Sequence, residues 1–271
     1  MIHCTIRSSL WTVIAATLVS ASASAREASP PPAADVSSGA SASCAGLPGH
    51  DALRSALDFA RSQANGGFDL DMWGAIVNRD GVVCAVAFTG ADRGSQWPGS
   101  RVIAAQKANT ANAFSLPGLA LSTANLWAAV QPGGSLFGLQ HSNPVDTATA
   151  YAGSATSFGQ MGDPLVGRRI GGVNVFGGGL ALYNARRQLI GAIGVSGDTS
   201  CADHNIAWRT RQRLALDWVP GGVGTNGDDN INYQGIVAEP SLQSDFSHPV
   251  CRIAGVDGVS PISASLPATR K

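Results

Sequence analysis

Two mirrored pairs, Cys201-x-x-His204 and His248-x-x-Cys251, collect the ligand types that a zinc ion takes, two thiolates and two imidazoles. The distance between the pairs is very long for a zinc motif, and the same cysteines can join as a disulfide instead; they cannot do both. His204 has a second reading, because it falls in the first turn of a helix beside a Gly-rich turn, a place where ligands approach backbone; the plain alternative is a surface residue of that turn. Lys107 shares a helical face with Ile103, Thr110 and Phe114. An ammonium among such neighbours either snorkels to water along its own stem or holds a carboxylate of a ligand. Asp228-Asp229-Asn230 offers oxygen ligands without the spacing of a calcium loop and reads as a solvated turn.

The turn beside His204, Gly191-Ala192-Ile193-Gly194-Val195-Ser196-Gly197, fits no catalytic signature. A hydrolase elbow needs G-x-S-x-G, and two residues beyond Ser196 stands Asp198. A dinucleotide fingerprint needs its first two glycines closer together. The remaining reading is a close-packed strand and a tight strand-to-helix turn, whose helix start has free amides for an anion.

The elements that position these residues repeat one grammar. Leu53, Ala56, Leu57, Ala60 and Ala64 recur at helical spacing from Asp51 to Gln63, and Gly66-Gly67 stops the run. Trp73 to Val77 and Val82 to Phe88 are strand-like and flank Asn78-Arg79-Asp80-Gly81, a hairpin signal. A loop follows, and Ser100 is placed to cap a helix reaching Phe114. Leu119 to Gln131 reads as another helix, ended by Pro132-Gly133-Gly134. A second hairpin, Leu180 to Tyr183 with Leu189 to Val195, leads through Ser196 to Ser200 into a helix from Cys201 to about Trp218. Ser200 and Asp203 have the S-x-x-D form of a capping box at its start. Two hairpins, each followed by a helix, predict an α+β fold, a mainly antiparallel sheet flanked by helices. Pro220 to Gln234 reads as a loop, and the tail beyond Gly235 has weak periodicity.

Arg7, the apolar run Leu10 to Val19 and Ala21-Ser22-Ala23-Ser24-Ala25 have the order of a secretory signal, with cleavage expected after Ala25. The mature chain is then expected to be secreted or periplasmic. The run is short for a permanent span, and membrane insertion is not expected. Arg26 to Ala45, with Pro30-Pro31-Pro32, reads as a flexible linker; residues 46–235 read as one domain, and 236–271 as a tail. Lys plus Arg balance Asp plus Glu at 18 each, so nucleic acid is not an expected partner. Signal removal leaves Cys44, Cys84, Cys201 and Cys251, for which three pairings exist. Cys201 with Cys251 ties down a poorly patterned tail, and Cys44 with Cys84 follows by exclusion.

Two segments carry a family resemblance: Ser100-Arg101-Val102-Ile103-Ala104-Ala105-Gln106-Lys107-Ala108-Asn109-Thr110-Ala111, and Gly191 to Thr199 continuing through Asp203-His204-Asn205-Ile206-Ala207. Together with the first hairpin and Gly171-Gly172-Val173, they resemble the GlcG/HbpS-like haem-binding family over roughly Asp51 to Leu216. The resemblance implies a profilin- or PAS-like sandwich, homo-oligomeric assembly, and haem or a related tetrapyrrole as ligand. It makes His204 the axial ligand of haem iron and places Lys107 or Arg101 at a propionate. Trp127 to Asp163 and the cysteine-bearing tail depart from shorter relatives and could cover or replace a ligand site. The other functions compatible with the sequence are a small-molecule enzyme using a cleft between Lys107 and His204, and a non-catalytic sensory or interaction module.

Overall fold

Hairpin grammar becomes a single sheet in the computed structural model, which describes residues 43–233, 246–253, 256–257, 262 and 265–271. The expected signal segment and all of the expected linker before Ser43 lie outside the described residues. Strands β1 (Trp73–Asn78) and β2 (Val83–Phe88) form the first hairpin, and β3 (Gly179–Tyr183) and β4 (Leu189–Ser196) the second. The two hairpins join through β1 and β4, giving the order β2-β1-β4-β3 with every neighbour antiparallel. Gly81, at φ +73°, closes the first turn in the left-handed region that a glycine enters without steric cost.

Side-chain alternation divides the core between the two faces. On one face Ala75, Val77, Val86, Phe88 and Ala192 pack against Val102, Ala104, Ala105, Ala108 and Ala111 of helix α2 (Ser100–Phe114). On the other, Ile76, Ala85, Leu180, Leu182, Ile193 and Val195 meet Leu53 and Leu57 of α1 (His50–Arg61), and Ile206, Ala207 and Trp208 of the helix after β4. The sheet is thus buried on both faces, as an α+β sandwich requires. The Gly-rich strand is close-packed, as its composition predicts: a Cβ on Gly194 would lie 1.9 Å from the carbonyl oxygen of Ala104 in α2.

Four boundaries differ from the sequence expectation. Ser100 opens α2 as its first residue and caps nothing, the N-cap position belonging to Gly99. Leu119 to Gln131 is no α-helix but two short 3₁₀ turns, Thr123–Leu126 and Ala128–Val130. Its first residues are committed elsewhere, since Ala120 donates its amide to Gly221 and Ser122 with Asn125 forms a capping box. Beyond that second turn, the region up to Asp163 carries only two one-turn helices, α3 (Leu139–Ser142) and α4 (Thr147–Ala150), and the 3₁₀ turn Ala155–Ser157. The last long helix, α5, spans Ser200–Arg213 and is capped by the Thr199 hydroxyl, which accepts from the Ala202 amide at 3.3 Å. It stops before Trp218 because Ala215 turns left-handed at φ +57° and the Leu216 carbonyl accepts from Tyr183 on β3.

Both expected disulfides are present, Cys44–Cys84 and Cys201–Cys251. The second closes a separation of 50 residues, for which chain-entropy loss in the unfolded state contributes about 4 kcal/mol. It holds the tail strand β6 (Ser247–His248), which pairs in parallel with β5 (Asn232–Tyr233), against the start of α5. Beyond it run the short strands β7 (Arg252–Ile253) and β8 (Val256–Asp257). Among the described residues, no helix is long and apolar enough to cross a membrane.

Candidate functional site

Lys107 and His204 are brought to one place, where β4 ends and α5 begins. Lys107 projects from α2 past the start of β3, and its ammonium donates to Asp203 Oδ2 at 2.6 Å and to the Val195 carbonyl at 3.1 Å. A Cβ on Gly178 would lie 3.1 Å from Lys107 Nζ, and one on Gly177 would lie 3.1 Å from His204 Cβ, so glycines at the head of β3 let these side chains in. The lysine does not snorkel to water; it is 2% exposed and reaches the opposite layer of the fold. Asp203, read from sequence as the back half of a capping box, is the other end of that ion pair. Its second oxygen accepts from the amides of Gly197 at 3.1 Å and Asp198 at 2.9 Å, locking the Gly-rich turn onto α5.

His204, read alternatively as a surface residue, is completely buried. Its ring lies 6.0 Å from that of Trp208, one turn on. Neither ring nitrogen has a hydrogen-bond partner of normal geometry among the described residues. Burial, then the Arg211 charge, pushes its pKa down to about 3, with only the Asn230 side chain favouring the charged form. His204 is therefore a neutral imidazole whose nitrogens make no hydrogen bond of normal geometry among the described residues, with the Asn230 side chain as a polar neighbour. The expected cleft between Lys107 and His204 is occupied by Asp203 and the Gly177-Gly178 backbone.

Arg101 is not part of this cluster. It lies at the start of α2, 1% exposed, with its guanidinium on both oxygens of Asp163, Nε at 2.8 Å, and on the Ala150 carbonyl at 3.0 Å. Phe158 stacks 3.6 Å from its Cζ. Asp163 also borders an open cavity of about 680 Å³, walled by Cys44, Cys84, Gly153, Met161 and Arg168. That cavity includes none of the three residues singled out as cofactor-binding.

Sequence reasoning missed the third buried pair. Asp229, assigned to a solvated turn, is fully buried and takes both terminal nitrogens of Arg211, at 2.6 and 2.8 Å. Of the four residues in the mirrored zinc pattern, Cys201, His248 and Cys251 are gathered with their ligand atoms within 4.8 Å of one another, the two sulfurs being bonded; His204 stands outside the group. His248 is pushed down to about 4 by burial.

These shifts set an acid dependence. His204 and His248 have folded values near 3 and 4 against an ordinary 6.5, so the unfolded chain holds protons there that the folded chain refuses. Their contribution is complete above about pH 6.5 and is lost as pH falls. Asp203 works the opposite way, because burial outweighs Lys107 and raises it from 3.8 to about 6; its contribution is present below 3.8 and lost as pH rises through 6. Between these limits His204 alone contributes up to ~1.4 kcal/mol lost per pH unit on acidification; His248 and Asp146 act with it, while Asp203, Asp58 and Asp228, raised by burial, act against it, and their balance sets the net slope. Urea midpoints at pH 4.5, 5.5 and 6.5 measure this slope, and His204→Gln is expected to flatten it. An identical slope in the wild type and His204→Gln would contradict the burial of His204 as a neutral ring.

Comparison with known proteins follows the same outline. A model of the family described as "Haem degrading protein HbpS-like" matches residues 49–211, a span that holds the whole sheet, α2 and both signature segments. No curated protein matches the chain. Among solved structures, a PduOC complex with haem is similar at 23% identity and TM-score 0.42, covering 60% of this chain and 89% of the other. The Klebsiella pneumoniae protein ORFY is also similar at 23% identity and TM-score 0.41, covering 60% and 86%. HbpS itself is similar at 16% identity and TM-score 0.37, covering 61% and 86%. With more than half of its length matched to one family model, the chain belongs to the HbpS-like family.

Proposed function

We propose that this protein is an exported haem-binding or tetrapyrrole-binding member of its family, with His204 as the axial ligand of the iron. The observation that carries the reading is a neutral, buried imidazole, neither nitrogen in a hydrogen bond of normal geometry among the described residues and only the Asn230 side chain beside it, inside the span matched to the family. Imidazole is a common haem-iron ligand, and a bound haem would supply its own redox chemistry while the protein sets access and polarity. Lys107 holds the first turn of α5 through Asp203 and so positions His204. For Lys107 or Arg101 to meet a propionate, each would exchange its present carboxylate, Asp203 or Asp163, for that of the ligand.

Asn230 and His248, both of which act on the His204 imidazole, lie beyond the matched span. The reading therefore has the loop before β5 and the tail acting as a cover that a tetrapyrrole must displace. Titrating haemin into the purified mature chain, followed by absorbance, is expected to give a saturable Soret band. Lys107→Ala should weaken affinity while leaving the band position unchanged. Failure of the wild type to produce a saturable band would overturn the reading.

Export is supported by the two disulfides and by the leader pattern, and the mature chain should begin at Arg26; intact mass of exported protein tests this. Self-association is part of the same proposal. Met161, Phe137 and Tyr151 are 70%, 64% and 63% exposed, apolar surface of the kind that subunit contacts cover, and light scattering should give a multiple of the monomer mass.

A further inference from the structure

Three residues with metal-ligand atoms are gathered where the tail meets α5, and two of them, His248 and Cys251, lie beyond the family match, which ends at residue 211. Strand pairing of Tyr233 with His248 seats the histidine in the interior, with no exposed surface. Its Nδ1 lies 2.7 Å from the Pro249 carbonyl, a contact made when Nδ1 carries the proton and donates it. Nε2 then presents a bare lone pair, and it has no partner among the described residues. This is how metal-ligating histidines are commonly held, with one nitrogen fixed by a carbonyl or carboxylate and the other on the metal.

One ring nitrogen of His248 lies within 4.8 Å of the sulfurs of Cys201 and Cys251. Cys201 is 2% exposed in the first turn of α5, and Cys251 is half-buried beside it. Cys251 Sγ lies 3.2 Å from the Cys201 amide, which points at it as a donor, and 3.4 Å from the Ser200 hydroxyl. An amide of a helix N-terminus, a neighbouring hydroxyl and the dipole of a 14-residue helix all place positive potential at that sulfur. While the sulfurs are bonded to each other they are poor ligands. Tetrahedral zinc, with bonds of roughly 2.3 Å to sulfur and 2.0–2.1 Å to nitrogen, puts its ligand atoms roughly 3.3–3.8 Å apart. The present spread of at most 4.8 Å closes to that by small movements once the sulfurs separate.

We propose that reduction of the Cys201–Cys251 disulfide turns this corner of the protein into a binding site for one zinc ion, held by Cys201, Cys251 and His248 with water in the fourth position. The reductant is an external dithiol. It transfers two electrons and two protons to the disulfide, is itself oxidised to a disulfide, and leaves two thiols. Zinc then displaces the two thiol protons to solvent as both Zn–S bonds form. The same residues would thus hold the tail in two ways, covalently when oxidised and through a metal when reduced.

Cobalt(II) is the probe. The full mature chain is reduced with excess dithiol, desalted without oxygen and titrated with cobalt, then zinc. One equivalent of cobalt should give thiolate charge-transfer and intense visible bands, and zinc should abolish them; the oxidised chain should give neither. His248→Gln should weaken cobalt binding at least tenfold. Iodoacetamide labelling read by mass spectrometry locates the site, since zinc should protect Cys201 and Cys251 while the reduced Cys44 and Cys84 label freely. Were reduction to unfold the chain, zinc should restore its helical circular dichroism. Absence of thiolate bands in the reduced chain, unaltered binding in His248→Gln, protection at Cys44 and Cys84 instead, or no zinc-dependent refolding of an unfolded reduced chain would each overturn the proposal.

Discussion

Gly194→Ala is expected to destabilise the domain by about 3 kcal/mol or more, a large loss for adding one methyl group. The added Cβ would sit 1.9 Å from the Ala104 carbonyl oxygen and 2.5 Å from the Ala108 amide nitrogen. Both are backbone atoms in the middle of α2, so no side-chain rotation relieves the clash. The helix must lift off the strand, and Ala104, Ala105 and Ala108 lose contact with Ala192 and the rest of that face of the core. The loss would extend to the site, because Lys107 leaves α2 at that same height to reach Asp203. Gly162, where a Cβ meets nothing within 4 Å, is the control, and Gly162→Ala should stay within about 0.5 kcal/mol of the wild type. Urea denaturation of both variants decides the matter. A Gly194→Ala loss below about 1 kcal/mol would mean that α2 and β4 are not in backbone contact.

Arg211→Met should cost about 3–5 kcal/mol, because it strands the Asp229 carboxylate in the interior without its cation. Both side chains have no exposed surface, and the arginine also donates to the Ala181 carbonyl of β3 at 3.1 Å and lies over Trp208 at 4.7 Å. Removing both charges should be far milder than removing one: Arg211→Met with Asp229→Leu is expected to recover most of the loss, as apolar replacement of a buried pair commonly does. The four-member double-mutant cycle reads the coupling directly. Additive losses from the two single substitutions would show that the pair does not act as a unit. The pair ties the end of α5 to the loop before β5, and that loop supplies Asn230 next to His204, so its loss should also loosen the cover over the proposed ligand.

Much of this framework was legible in the sequence because it is written in local signals. The strand-like runs on either side of the Asn78–Gly81 turn, and those on either side of Asn184–Gln188, each act over a few residues, and they predict both hairpins and the antiparallel sheet. The Gly-rich strand is correctly read as close packing, since steric need for glycine leaves a composition that catalytic motifs do not match. What escaped is non-local. Asp203 looks like a capping residue until Lys107, 96 positions earlier, is placed opposite it, and Arg101 meets Asp163 across 62. Asp229 sits among glycines, asparagine and another aspartate, so its composition says solvent; only Arg211 explains its burial. The one-residue error in the cap of α5 has the same origin, because Asp203 is drawn to the lysine and to the amides of Gly197 and Asp198. His204 was legible as a candidate from its place in the first turn, yet not as a buried group, because what surrounds it, Gly177 from the head of β3 and the Asn230 side chain from the loop before β5, is distant in sequence.

The central claim is that His204 is the iron ligand of a tetrapyrrole-binding protein, and haemin titration of wild type and His204→Ala side by side tests it most directly. The substitution removes a neutral ring that makes no hydrogen bond of normal geometry among the described residues, so circular dichroism should confirm that the fold survives. The account predicts a saturable Soret band in the wild type and a shifted or abolished band in His204→Ala. An identical spectrum and affinity in the two proteins would contradict it.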